Sequence, residues 1–321
     1  MCLIAFAIGA SQRWPLVIAS NRDEFLSRPT LPLARWQTSD GKEIISGRDL
    51  RAGGTWLGMT PGGRVAFLTN VRQAGPKAAA FSRGELVMRW LEADADAKSF
   101  VASLEKDDGA YGGFNLVLGD VQRNAWTWLT NRAADFSSGW HAQALAPGVY
   151  GLSNAALDTP WPKTLELKNA LSTALRQETK MDDLEALRRP LWTALANRNR
   201  APLGELPATG LPETMELALS SAFVDFPEHA YGTRSSTLLI ASRRDDGLSS
   251  HALQVEVQEQ TYLHAAVTPM TEGFVGALAS VFFSVGSQLD FIHSSGITKR
   301  VDEAIDQRAR NFPHVALTGR D

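Results

Sequence analysis

Met1-Cys2-Leu3-Ile4-Ala5-Phe6-Ala7-Ile8-Gly9-Ala10-Ser11-Gln12-Arg13-Trp14-Pro15-Leu16-Val17-Ile18-Ala19-Ser20-Asn21-Arg22-Asp23-Glu24 is the stretch that decides the fold. It holds two short apolar runs, residues 3–9 and 15–20, separated by the polar gap from Gly9 to Arg13. Runs of this length bounded by turn residues read as buried strands, and a gap of this size reads as a hairpin loop. Antiparallel pairing returns the end of the second strand to the start of the first, so Asp23 is expected near Cys2. A signal peptide is the competing reading, but nothing basic precedes the apolar stretch, and the stretch is short.

Cys2 gains chemical interest from its position. A small residue at position two allows removal of Met1, which leaves a thiol and a free α-amine on the same residue. The amine's reference pKa, about 7.7 to 8.0, suits a general base, and the thiol is intrinsically the most nucleophilic side chain. A small buried side chain that happens to follow the start is the other reading of the same position. The segment Asn21-Arg22-Asp23-Glu24-Phe25 then packs hydrogen-bonding groups at the end of the second strand, either to hold that amine or as a solvated hairpin end.

Working outward, strands are predicted at residues 55–60, 64–70, 114–119, 125–130, 149–153, 236–241 and 253–258, and helices at 84–91, 97–105, 162–177 and 181–197. Grouped strands with helices arriving in pairs argue for packed sheets with helices outside, an α+β arrangement rather than an alternating βαβ order. Residues 1–268 are expected to form one domain, and 269–321 a divergent C-terminal extension. Within that extension Thr271 to Ile292 reads as an amphipathic helix, because Ser280, Ser284, Ser287 and Asp290 interrupt its apolar run, and Ile297 to Phe312 reads as a solvated helix face.

Composition narrows the function. At 321 residues, 44% apolar and 21% charged, with a net charge of -3, the chain has the balance of a soluble globular protein and no basic surplus for nucleic acid. A single cysteine excludes an internal disulfide and a thiolate zinc cluster, and fits a reducing compartment. His141, His229, His251, His264, His293 and His314 sit in no nucleophile context, and no pair has helical metal-site spacing. No metal or cofactor is expected, and the apolar runs fall short of a transmembrane span.

Four further segments stand out. Arg48 to Gly58 places the pair Gly53-Gly54 before Trp56; it lacks the lysine of a phosphate loop, so the glycines are expected to permit close backbone approach or positive φ. Trp56 reads as pocket lining or as core. Asn70 and Asn154 stand at strand ends, where an amide can face the oxygen of a tetrahedral intermediate or simply close a turn. Arg234, at the entry to the apolar run Leu238 to Ala241, reads as a thiolate-stabilising cation or a surface ion-pair residue.

Taken in order, Cys2, Asn21 to Glu24, Ala52 to Gly58, Thr69 to Arg72, Gly113 to Leu116, Gly151 to Asn154 and Tyr231 to Ser236 resemble the NRDE family, that of the Transport and Golgi organisation protein, from residue 1 to about residue 262. The resemblance implies the four-layer αββα sandwich of N-terminal nucleophile hydrolases, two antiparallel-rich sheets flanked by helices. By analogy with the cysteine amidohydrolases of that superfamily, Cys2 would be nucleophile and base, Asp23 the partner of its amine, Asn70 and Asn154 the oxyanion and substrate contacts, and Arg234 the thiolate's cation. Arg22, Trp56 and Arg72 would contact substrate. The implied activity is cytoplasmic cleavage of a C-N amide bond of a small molecule through an acyl-enzyme. Family members have also been linked to haem handling, lipid or acyl-coenzyme A metabolism and secretory organisation, which implies as alternatives a non-catalytic haem or acyl-coenzyme A carrier, or an interaction module built on the tail.

Overall fold

The computed structural model describes residues 2–75, 79–107, 110–132, 138–176, 184–243, 253–262 and 277–285. Strands β1 (Cys2–Ile8) and β2 (Leu16–Phe25) form the expected hairpin, with Cys2 opposite Arg22 and Ile8 opposite Leu16. β10 (Gly148–Leu152) lies on the free edge of β1, and β12 (Tyr231–Arg243) on that of β2. The order continues through β13 (Leu253–Thr261) to β14 (Leu278–Val285), while the short β11 (Asp225–Phe226) pairs with β12. This makes an antiparallel seven-stranded sheet with the hairpin near its centre.

The second sheet, also seven-stranded and antiparallel, follows chain order. It runs β3 (Thr30–Gln37), β4 (Glu43–Asp49), β5 (Leu57–Met59), β6 (Arg64–Asn70), β7 (Phe114–Asp120), β8 (Ala125–Arg132), β9 (Ser138–Ala144). Strand pleat explains how the layers stack. Ile4, Phe6 and Ile8 of β1 face the second sheet, where Phe6 meets Phe67 edge-on at 5.0 Å. Leu3, Ala5 and Ala7 face the other way, onto α3 (Pro162–Arg176) and α4 (Leu184–Leu195). On the far face of the second sheet, Ala66, Leu68, Leu116 and Leu118 pack against α1 (Gly84–Glu92) and α2 (Ala97–Leu104). The result is the αββα sandwich. The short α5 (Glu213–Ala218) precedes β11.

The glycine pair behaves as its spacing predicts. Gly53 takes φ +75°, and a Cβ on Gly54 would lie 2.4 Å from the backbone of Gly84, so this loop meets the start of α1 without side chains between.

The tail requires a correction. Leu278–Val285 is not helical but is an edge strand, pairing from Leu253 opposite Val285 to Gln260 opposite Leu278. Phe283 and Val285 join the core between the sheets, while Ser280, Phe282 and Ser284 fall on the other face, so the serines mark a period of two rather than a helical stripe. The first sheet therefore takes in Leu278–Val285, past residue 268. Residues 271–276 and 286–292 of the expected helix, residues 177 and 181–183 of the other predicted helices, and Ile297 to Phe312 lie outside the described residues.

Candidate active site

The hairpin delivers Cys2 to the head of β1 with its side chain among the residues between the sheets and 5% exposed. Burial pushes its thiol pKa up, against the lowering effect of the amino terminus and, after the raising effect of Asp23, of Arg22 across the strand pair. Because β10 continues along β1, Ser153 and Asn154 follow beside it. The Ser153 hydroxyl donates to the Cys2 carbonyl at 3.4 Å and lies 3.3 Å from Asn154 Oδ1.

Asp23, one residue along from Arg22 and therefore on the other face of β2, is 1% exposed. Thr233 Oγ1 donates to its Oδ1 at 2.7 Å, and the Tyr231 hydroxyl donates to its main-chain oxygen at 2.9 Å. Burial pushes the Asp23 carboxyl up, while Lys163, the amino terminus, the Thr233 bond and Arg72 oppose that shift.

The two asparagines meet. Asn154 Nδ2 donates to the Asn70 carbonyl at 2.9 Å, and Arg72 N donates to the Asn154 carbonyl at 2.7 Å, joining the loop after β10 to the end of β6 on the opposite sheet. Arg72 is itself buried. Its Nη1 donates to Glu216 Oε2 at 2.5 Å, its Nη2 reaches Asn154 Oδ1 at 3.5 Å, and its guanidinium lies 4.8 Å from the Trp161 ring centroid.

Arg22 and Trp56 also come together, the guanidinium 4.1 Å over the indole, with Nη1 donating to Thr30 Oγ1 at 3.2 Å. Arg234 goes elsewhere. The β2–β12 register slips between Thr233 and Ser235, and the bulge re-aims Arg234 so that its Nη1 donates to the carbonyls of Phe25, Leu26 and Arg28. The cation acting on the Cys2 thiol from the neighbouring strand is thus Arg22.

Three charged residues not foreseen from sequence enter the site. Lys163, the second residue of α3, is 3% exposed with Nζ donating to the Leu219 carbonyl at 2.8 Å. Glu216 arrives from α5 as the partner of Arg72. Arg83, just before α1, donates to the Gly113 carbonyl at 3.2 Å and feels the charges of Glu24 and Cys2, after burial, which lowers its pKa. In the sequence, Pro162 marked the start of a helix, but nothing local marked Lys163 as buried. Among the described residues, no group of three or more His, Cys, Asp or Glu is gathered as metal ligands would be, and no helix is long and apolar enough to cross a membrane.

Fold and site together define a four-layer αββα protein whose central hairpin sets a buried position-two cysteine opposite Arg22 and beside Ser153 and Asn154. The chain belongs to the Transport and Golgi organisation 2 family, whose model matches residues 1–262. It is 32% identical over 251 residues to the Transport and Golgi organization protein 2 homolog of Bos taurus, covering 75% of this chain and 88% of that one. The Drosophila melanogaster protein 2 is 29% identical over 260 residues, covering 75% and 87%. Among solved structures, a mutant of the conjugated bile acid hydrolase from Clostridium perfringens is similar at 7% identity and a TM-score of 0.42, covering 85% of this chain and 99% of that one. The Caenorhabditis elegans ortholog of N-acylethanolamine-hydrolyzing acid amidase is similar at 11% identity and a TM-score of 0.36, covering 68% and 98%.

Proposed function

We propose that this chain, once Met1 is removed, is a cytoplasmic cysteine hydrolase that cleaves a C-N amide bond of a small molecule through an acyl-enzyme. One observation carries the reading: the hairpin register sets Cys2 opposite Arg22 while its neighbours Asp23 and Ser153-Asn154 converge on the same strand end. In the first step the Cys2 thiol gives its proton to the α-amine and the sulfur bonds the substrate carbonyl carbon. The oxyanion takes a hydrogen bond from the Asn154 amide, which keeps a second N–H beyond the one given to Asn70. The C-N bond then breaks, and the leaving nitrogen carries off the ammonium proton. Water, deprotonated by the same amine, attacks the thioester; the acid leaves and the thiol is restored.

A second reading, a haem or acyl-coenzyme A carrier using this site without turnover, is favoured by the burial that holds the Cys2 thiol in its neutral form. Intact-mass measurement after exposure to iodoacetamide and to a panel of N-acyl amides separates the two. Hydrolysis predicts a des-Met1 chain, single alkylation at Cys2 faster than that of free cysteine, and an acyl adduct lost in Cys2→Ala. A retained Met1 or ordinary thiol reactivity sinks it. Haemin or acyl-coenzyme A binding that survives Cys2→Ala with no turnover supports the carrier. Within the hydrolase reading, Asn154→Ala is expected to lower kcat about 100- to 1000-fold with little change in KM; an equal kcat removes Asn154 from the oxyanion role.

A further inference from the structure

Arg72 and Glu216 have no part in the steps above, yet both are buried beside the loop that carries Asn154. Their side chains are 2% and 3% exposed, and Arg72 Nη1 donates to Glu216 Oε2 at 2.5 Å. Taking two charges out of water costs about as much as their attraction returns, so a buried ion pair is weak evidence of a stabilising device. The satisfaction of this pair is also incomplete, since Arg72 Nε has no hydrogen-bond partner among the described residues. What the pair does achieve is to hold a guanidinium in place. Glu216 is anchored in turn, its Oε1 accepting from Thr209 N at 3.2 Å and from the Thr209 hydroxyl. The guanidinium carbon lies 4.8 Å from the Trp161 ring centroid.

The other fork of that guanidinium meets the asparagine. Arg72 Nη2 donates to Asn154 Oδ1 at 3.5 Å, and the main-chain N–H of Arg72 donates to the Asn154 carbonyl at 2.7 Å. On the opposite side of the amide, Asn154 Nδ2 donates to the Asn70 carbonyl at 2.9 Å. A guanidinium offers donors only and a main-chain carbonyl only accepts, so one orientation of the amide satisfies both, with Oδ1 toward Arg72 and Nδ2 toward Asn70. A half-turn of the amide would set donor against donor and oxygen against oxygen. The Ser153 hydroxyl, which donates to the same Oδ1 at 3.3 Å, favours the same orientation. A cation beside Oδ1 also polarises the amide and strengthens its N–H groups as donors.

We propose that Arg72, held by Glu216, is a positioning residue for Asn154: it fixes the side-chain amide so that Nδ2 keeps one N–H on Asn70 and presents the other to the oxyanion. The use of that second N–H rests on the hydrolase reading; the hold on the amide does not. Nothing in this arrangement requires Arg72 or Glu216 to touch substrate.

The test combines Arg72→Met with Glu216→Met in the full chain, an apolar replacement of the kind that buried ion pairs commonly tolerate. By NMR, hydrogen exchange of the Asn154 side-chain amide is expected to speed up about tenfold, the scale of one lost hydrogen bond. The Asn131 amide, which donates to the Tyr111 and Gly112 carbonyls, should keep its rate. Against N-acyl amides, kcat is expected to fall about tenfold with KM little changed, and combining the pair with Asn154→Ala should lose no more than Asn154→Ala alone. A merely structural role would add its own loss to that of Asn154→Ala. Should the double variant fail to fold, Arg72→Lys takes its place, because an ammonium can meet Glu216 but cannot fork to Asn154 as well. An Asn154 exchange rate that stays put in the folded variant, or a loss that adds in full to that of Asn154→Ala, overturns the proposal. Exchange needs no turnover. A freed Asn154 amide in a protein whose parent cleaves no amide therefore refutes the hydrolase reading and leaves the hold standing, and cleavage by the parent with Asn154 unmoved in the variant refutes the hold alone.

Discussion

The guanidinium of Arg22 serves the site in two ways that a lysine could not reproduce. Its plane lies 4.1 Å over Trp56, and its Nη1 reaches Thr30, so the cation is held above an indole beside the Cys2 strand. An ammonium is a compact point charge that neither stacks nor forks. Arg22→Lys is expected to cost about 1 to 2 kcal/mol of stability through the lost stacking, read from a urea melt. Arg22→Gln removes the charge that lowers the Cys2 pKa, so the midpoint of alkylation against pH should move up; an unmoved midpoint would show that Arg22 does not reach the thiol. Arg22 and Asp23 could be placed from sequence because the hairpin is local and its register follows from the loop. Lys163, Glu216 and Arg83 could not, since each comes from a helix or loop far along the chain, and a buried lysine carries the same letters as a solvated one.

The edge strand β14 gives a sharper test of how the tail is built. Phe283 is 8% exposed and inserts between the sheets, whereas Phe282, its neighbour, is 58% exposed on the other face. Phe283→Ala is expected to cost about 3 kcal/mol, and Phe282→Ala less than about 0.5, in a denaturant titration. Equal losses would contradict the strand register. The helix expected here failed because serines at 280 and 284 share a helical spacing as well as one face of a strand, and the partner β13 that decides between them is distant in sequence. Three strands of the other sheet had no forecast: β3, β4 and β9. β3 and β9 are its two edges, and β3 carries Pro32 and few buried side chains, so the alternating apolar signal never develops there; β4 is interior, but Gly47 and Arg48 cut its apolar run to Ile44-Ile45. The helices from Gly84, Ala97 and Pro162 were legible because each buries one regular stripe against a sheet.

The layer order followed from the grouping of strands and helices, but the contacts that lock one sheet to the other did not. Among the polar ties that cross the gap are Asn154 to Asn70, and Glu259 of β13, whose Oε1 accepts from Leu33 N of β3 at 2.7 Å. Glu259 is 2% exposed, and burial raises its pKa above 4.5 although Leu33, Ser235, Arg22 and Thr237 all favour the ionised form. Between the unfolded and folded pKa values the folded state holds more protons, so the stability contributed by this residue is full at low pH and falls as pH rises through the folded value. A glutamine keeps an acceptor for Leu33 N–H and cannot ionise. The Tm of Glu259→Gln should therefore match the parent near about pH 4 and exceed it increasingly toward about pH 8, measured by thermal melts across that range. A Tm advantage that is flat with pH, or a variant less stable at the upper end, would mean that the attraction of Arg22 for the carboxylate outweighs its desolvation, and that this tie between the sheets is ionic.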